Sequence, residues 1–253
     1  MCSLKILRLD LHIHSTLSPC TELGDMTPRA IVRASIEKGL DMIAICDHNS
    51  SRNAGAAIKA AQGSPLSVIP GIEITSSEET HILGLFPTLK KATAAQEEVY
   101  SRLPGTNDEK AIGYQVVVDE YDMVEDLEQA LLIGATTLNI YRVVKLIHTL
   151  GGLAVASHVD RPGFGIFSQL GFIPDNLELD ALEISKHIDV DDARKKYHQL
   201  VDYTLVTSSD AHYVSDIGAA YTEAEMAEAS FAELSLAIRG NEGRRIIKPY
   251  RLA

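Results

Sequence analysis

Apolar runs and helical periodicities alternate along most of the chain. Residues 6–13 form an apolar run that reads as a strand. Thr27-Pro28 opens a helix, with a capping residue followed by proline at the first helical position. Ile31, Val32 and Ile36 share its inner face and Gly39 stops it. Residues 42–46 are a second strand, followed by a short alanine-rich helix over about 54–61; 67–74 and 81–86 are two more strands. Farther on, Ile140, Val143, Val144 and Ile147 mark one helix face, and Gly151-Gly152 closes it. Residues 153–157, 180–184 and 203–208 are strands, Ser230 and Glu233 form a capping-box pattern, and Gly240 ends the last helix. Strand and helix in repetition predict an α/β fold with a largely parallel sheet.

The stretch from about 87 to 135 breaks the pattern. It is polar and acidic, with LPGTNDEK at its centre and VVVDEYDMVEDLEQ after it. It has too few large apolar residues for a core of its own. It reads as a helical insertion on one barrel domain spanning 1–253, and the acidic run near 119–128 as a solvated helix face.

Composition narrows the class. The chain has 253 residues, 45% hydrophobic and 23% charged, which suits one sizeable soluble α/β domain. A formal net charge of -12 disfavours a wide basic face for long nucleic acid. Three cysteines (Cys2, Cys20 and Cys46), with no CxxC pair, predict a reduced protein. No signal-like N-terminus and no membrane-length apolar run are present, so a cytoplasmic location without a membrane partner is expected. Oligomeric state is not legible.

The chemistry sits at the strand ends. His12 and His14 end the first strand, Asp47 and His48 follow the second, and Glu73 ends the third. His158 follows LAVAS, while Asp210 and His212 follow LVTSS. In a parallel barrel all these ends open on one face, so residues distant in sequence converge. Imidazole with carboxylate suits zinc, manganese or iron. Residues two apart on a strand share a face, so His12 and His14 can reach one metal, and the two oxygens of Glu73 can bridge two.

The ordered motifs DLHIHS, ICDHNS, GIEI, HILG, ASHVD and SSDAH resemble those of the PHP (polymerase and histidinol phosphatase) family over nearly the whole chain. The resemblance implies a distorted (βα)7 TIM-like barrel and a centre of two or three divalent metal ions (Mn, Fe or Zn). It implies that His12, His14, Glu73 and Asp210 hold one ion, Glu73, His81 and His158 a second, and His48 and His212 a third. Where many members carry an aspartate after HxHS, this chain reads TLSPCTELGD, so Cys20, Glu22 or Asp25 would have to take its place. The implied chemistry is hydrolysis of a phosphate ester by a metal-bound hydroxide. Asp47 and His212 are candidates to move protons or orient ligands. Arg161 is the first candidate for a cationic clamp on phosphate, also counted with the catalytic groups; Lys186 and Arg52 follow. Glu183 is a candidate supporting residue at a strand end.

Other residues take quieter readings. His148, on the apolar face of its helix, is expected to be a hydrogen-bonded core histidine. His187 and His198 are expected to be solvated, and Cys46 to pack in the core. The expected substrate is a small phosphorylated compound, a nucleotide or nucleoside bisphosphate first. Histidinol-phosphate phosphatase, an exonuclease acting on nucleic acid ends, and a non-enzymatic metal-binding domain are the alternatives.

Overall fold

A computed structural model describes residues 3–22 and 24–251; Cys2 lies outside the described residues. In chain order the elements are β1 (Lys5–Ile13), α1 (Pro28–Glu37), β2 (Met42–Ile45), α2 (Ala54–Ala60), β3 (Ser67–Thr75), β4 (His81–Leu85) and α3 (Leu89–Tyr100). Then come β5 (Val116–Val118), β6 (Val124–Leu127), α4 (Ile140–Thr149), β7 (Leu153–Ala156), α5 (Ile166–Leu170), β8 (Ala181–Ile184) and α6 (Val190–Lys196). The last four are β9 (Leu205–Thr207), β10 (Ala220–Met226), α7 (Phe231–Arg239) and β11 (Arg245–Arg251). Helix starts follow the capping rules: Thr27, Thr88, Asn139, Asp189 and Ser230 each accept a hydrogen bond from a first-turn N–H.

Among the described residues, nine strands form one sheet in the order β11-β10-β1-β2-β3-β4-β7-β8-β9. The far end returns to β1: Ile13 bridges Ala211, and the His14 N–H donates to the Ala211 carbonyl at 3.1 Å. The sheet is therefore a nearly closed barrel. Alternate residues of its strands fill the inside, among them Leu7, Leu9, Leu11, Met42, Ala44, Leu83, Val155 and Val206; α7 adds Leu234 and Ile238. The opposite strand faces pack outward, Ile72, Ile74 and Ile82 against α3 and α4, and Ile43 and Ile45 against α1 and α2.

Two departures from a plain parallel barrel position the site. The β1–β2 register shifts between Asp10 and Ile13. Leu7, Leu9 and Leu11 belong to the inner cluster, whereas Ile13 belongs to the outer one. The shift turns His12 and His14 inward, where simple alternation would turn them out. Secondly, β4 runs antiparallel to both β3 and β7. His81 thus sits at the start of its strand yet at the same mouth as the ends of the parallel strands. Gly71 lets β2 and β3 come close, since a Cβ there would lie 2.5 Å from the Cys46 sulfur and 3.0 Å from the Ile45 carbonyl oxygen.

The 87–135 segment differs from the expectation. Only α3 is helical, and it joins the barrel's helical layer through buried Ala92, Ala95 and Val99. The acidic run is the β5–β6 hairpin, not a helix. Asn53 fastens it, donating to the Val116 carbonyl at 3.0 Å and accepting from the Val118 N–H at 3.1 Å. Ile36, expected on the inner face of α1, is 39% exposed. Cys46 is core, as expected, whereas His148 is only half-buried and bonds Asp180 at 2.8 Å. His187 and His198 are exposed.

Candidate metal centre

The strand ends bring His12, His14, His48, Glu73, His81, His158, Asp210 and His212 to one mouth. Glu73 is at the middle, wholly buried. Its Oε1 lies 2.9 Å from His81 Nδ1, 3.2 Å from His158 Nε2 and 3.3 Å from His12 Nε2. Its Oε2 lies 3.0 Å from His48 Nδ1 and 3.5 Å from His14 Nε2. Asp210 Oδ1 approaches His14 Nε2 at 3.3 Å and His12 Nε2 at 3.5 Å. His212 stacks near His14, with ring centroids 4.4 Å apart. Among the described residues, three sets of side chains have ligand atoms within 4.8 Å of one another: His12, His14 and Glu73; His48, Glu73 and His81; His14, His48 and His212.

The outer partners decide which nitrogens face inward. His12 Nδ1 lies 3.0 Å from Glu183 Oε1, a carboxylate oxygen that accepts its proton and so turns Nε2 toward the centre. Glu183 Oε1 also accepts from the His158 N–H at 3.1 Å. The Ser18 hydroxyl donates to Asp47 Oδ1 at 2.7 Å, leaving its oxygen to accept from His14 Nδ1 at 3.0 Å and from the His48 N–H at 3.2 Å. His14 Nε2 is therefore a lone pair, and it lies 3.1 Å from His12 Nε2. Two imidazole nitrogens and the oxygens of Glu73 and Asp210 thus meet in one buried space: desolvation works to lower His12, but the charges of Glu183, Glu73 and Asp210 outweigh it and hold its imidazole well above the ordinary value, whereas burial, His212 and His48 hold His14 well below it. Glu73 Oε2 and His158 Nδ1 are buried and lack a hydrogen-bond partner. This donor set fits divalent cations.

Burial and neighbours set the proton affinities. Desolvation pushes the Glu73 carboxyl up, but His81 and His12 outweigh it and hold it well below the usual carboxylate range. Desolvation brings His81 down to about 4 against the pull of Glu73. Burial raises Asp10 to about 6, opposed by bonds from Ser209 and Gly218. Desolvation works to raise the Cys20 thiol, and hydrogen bonding to His212 and His48 overrides it, bringing it to about 6.

The other expected site residues separate into two groups. Arg161 and Lys186 line a cleft of about 310 Å³ beside the centre, together with Cys20, Glu183, Asp210 and His212. Arg161 pairs with Asp210, and Lys186 with Asp216 at 3.2 Å. A larger hollow, about 790 Å³ between α6, α7 and β11, contains none of the clustered ligands. Arg52 and Asp47 lie outside the lining of the cleft beside the centre. Arg52 pairs with Asp126 at 2.8 Å and Glu128 at 3.0 Å, so its charge binds the hairpin instead of reaching for phosphate. Asp47 is wholly buried behind Ser15 and Ser18, accepting from the Ser15 N–H at 2.7 Å and its hydroxyl at 2.6 Å, a placement suited to orienting ligands, one of the two roles expected of it, and not to meeting a substrate in the cleft. Sequence reading missed Ser18. Its only signal was a hydroxyl four residues after His14.

The chain is similar to several known proteins. The Bacillus subtilis protein YqxK is 27% identical over 273 residues, covering 98% of this chain and 66% of its own length. The 5'-3' exoribonuclease Rnm of Salmonella typhimurium is 35% identical over 103 residues, 35% of this chain and 32% of the relative. The lesion-specific endonuclease PfuEndoQ from Pyrococcus furiosus superposes with a TM-score of 0.75 at 20% identity, over 98% of this chain and 60% of that one. The chain thus spans about two thirds or less of each of these relatives. Among the described residues no helix is long and apolar enough to cross a membrane. The PHP domain model matches residues 10–234, from the strand that carries His12 to the last helix, and the chain belongs to that family of metal-dependent phosphoesterases and nucleases.

Proposed function

We propose that the chain hydrolyses a phosphate ester of a nucleotide at a centre of two or three divalent ions. The observation that carries this reading is the convergence of imidazole nitrogens and carboxylate oxygens around Glu73 beside a cleft containing Arg161 and Lys186. In this reading His12, His14, Glu73 and Asp210 take one ion, Glu73, His81 and His158 another, and His48 and His212 a third, with Cys20 close by. Such cations supply positive charge for the phosphoryl oxygens and acidify the attacking water.

The side chains do the rest. Glu183 and Ser18 hold His12 and His14 in the ligating tautomer. Arg161 spends one N–H edge on Asp210 and has others to offer a phosphate oxygen. Lys186, also in the lining of the cleft, provides a second charge. His212 places Nδ1 2.9 Å from the Asp210 carbonyl oxygen at the mouth, where its ring can ligate an ion or pass a proton to the leaving oxygen.

The cleft is small and lined by two cationic side chains, which favours a compact anion such as the phosphate end of a mononucleotide or nucleoside bisphosphate. The similarity to Rnm favours a second reading, removal of nucleotides from a chain end, although a net charge of -12 works against a long polyanion. The test is phosphate or nucleotide release, with manganese, from a nucleoside monophosphate, a nucleoside bisphosphate, histidinol phosphate and a 5′-phosphorylated oligonucleotide. Preference for the two small nucleotides is expected. Preference for the oligonucleotide would select the second reading, and preference for histidinol phosphate would reject both.

A further inference from the structure

Phe164 occupies an unfavourable place. Its φ is +60°, a left-handed backbone that a bulky side chain rarely adopts. It is also 42% exposed, so much of its apolar surface stays in water. Both features cost stability, and folding alone would be better served by glycine, which accepts that φ freely. The loop nevertheless holds the residue firmly. The His81 N–H donates to the Phe164 carbonyl at 3.0 Å, and the ring lies on the His81 imidazole, centroids 4.4 Å apart and planes 14° from parallel. Gly165 allows the tight turn, since a Cβ there would come within 2.7 Å of the Arg161 carbonyl oxygen. Three residues earlier, the same loop carries Arg161 into the cleft. One short segment thus presents a cation beside the centre and, over a clustered histidine, an aromatic ring with exposed surface.

We infer that Phe164 is a specificity-determining residue, a stacking platform for the base of the nucleotide whose phosphate reaches the centre. An aromatic face attracts any nucleobase, and a fixed ring loses little freedom on binding. The arrangement divides recognition in two: the clustered ligands and Arg161 take the phosphate, and Phe164 takes the base. This inference rests on the nucleotide reading. The same chemistry would serve a free nucleotide or the terminal nucleotide of a chain.

The chain contains no tryptophan, so Phe164→Trp installs a single fluorescent reporter at this position. The zinc-loaded variant is titrated with the methylene phosphonate of adenosine, the matching phosphonate of ribose, and a 5′-phosphorylated tetranucleotide. Saturable quenching by the adenosine compound, with none by the ribose compound, is expected; equal responses or no response would overturn the inference. Tighter quenching by the tetranucleotide than by the adenosine compound would identify a chain end as the source of the base. A second variant, Phe164→Gly, removes the ring and suits the backbone. It should raise the KM for a nucleoside monophosphate relative to that for ribose 5-phosphate on the order of 10-fold. A parallel loss on both substrates would mean that the ring only supports His81, and would reject the inference. Hydrolysis of nucleotides by the wild-type chain without quenching in the reporter would reject the stacking role and leave the function standing. Quenching without hydrolysis would do the reverse.

Discussion

Replacing Asp47 by asparagine should weaken both the fold and the metal centre, although Asp47 touches no ligand position. Its carboxylate accepts three short hydrogen bonds, from the Ser15 N–H, the Ser15 hydroxyl and the Ser18 hydroxyl. Asparagine has one acceptor oxygen in place of two. That oxygen is best placed toward the Ser15 N–H and Ser18 and leaves an amide facing the Ser15 hydroxyl, which already accepts from Asn53 at 2.9 Å. One bond is compromised and the others lose their charge. A hydrogen bond to a charged group contributes about 1.5–3 kcal/mol and a neutral one about 0.5–1.5. The summed loss is about 3 kcal/mol, reduced to about 2 because a buried charge is also removed. In a chain of this size that lowers Tm by roughly 4–8 °C. The second effect runs through Ser18. With a neutral amide oxygen in place of a carboxylate as its acceptor, the hydroxyl turns toward His14 more readily and loosens the Nδ1–H tautomer. Loss of such outer support typically costs about 10- to 100-fold in metal affinity. Differential scanning calorimetry of the metal-free protein and competition titration with a zinc chelator measure the two effects separately. Ser18→Ala is the companion variant and should reproduce the loss of affinity with a smaller Tm change. An Asp47→Asn protein with unchanged Tm and affinity, or a Ser18→Ala protein with full affinity, would refute the relay.

Three further outcomes are expected. Gly71→Ala would drive a methyl against the Cys46 sulfur and the Ile45 carbonyl, so a loss of about 1–3 kcal/mol should appear in urea unfolding. Arg52→Ala should speed hydrogen exchange across the β5–β6 hairpin while leaving turnover of a small phosphate ester within about two-fold, because these partly exposed ion pairs contribute about 1 kcal/mol or less each. His148 has its proton affinity raised by its bond to Asp180, and Asp180 has its own lowered despite burial, with His148 the main opposing group. The histidine's contribution is full below its unfolded value of about 6.5 and fades as pH rises through the raised folded value, while that of Asp180 fades only in acid. The Tm difference between wild type and His148→Ala should therefore be larger at about pH 5.5 than at about pH 8.5.

Much of the fold was legible where local pattern decides structure. The inner strands and helices α1, α4 and α7 announce themselves by apolar period and caps, and the strand-end histidines by ligand chemistry. What was not legible depends on long-range partners. The β5–β6 hairpin lacks a clear apolar alternation and is fixed by Asn53 and Arg52 from elsewhere in the chain. β10 (Ala220–Met226) mixes small and acidic residues and is a strand because it pairs antiparallel with β1. The reversed direction of β4 follows from its neighbours, and nothing within HILGL encodes it. At the site, residue type at the strand ends pointed to His12, His14, His48, Glu73, His158, Asp210 and His212, while His81, at the start of a strand, was picked out only by the resemblance to the PHP motifs. Separating Arg52, bound to carboxylates, from Arg161, held at the cleft, needed three dimensions. The burial of Asp47 behind two serines did too.

The most direct test of the account is metal content by elemental analysis of protein prepared without chelators, wild type beside Glu73→Gln. One carboxylate contacts five histidines here, so the wild type should carry two or three equivalents of Mn, Fe or Zn and the variant should lose at least one. A wild-type protein free of metal, or a variant that keeps its full complement, would contradict the claim that Glu73 joins the ions of this centre.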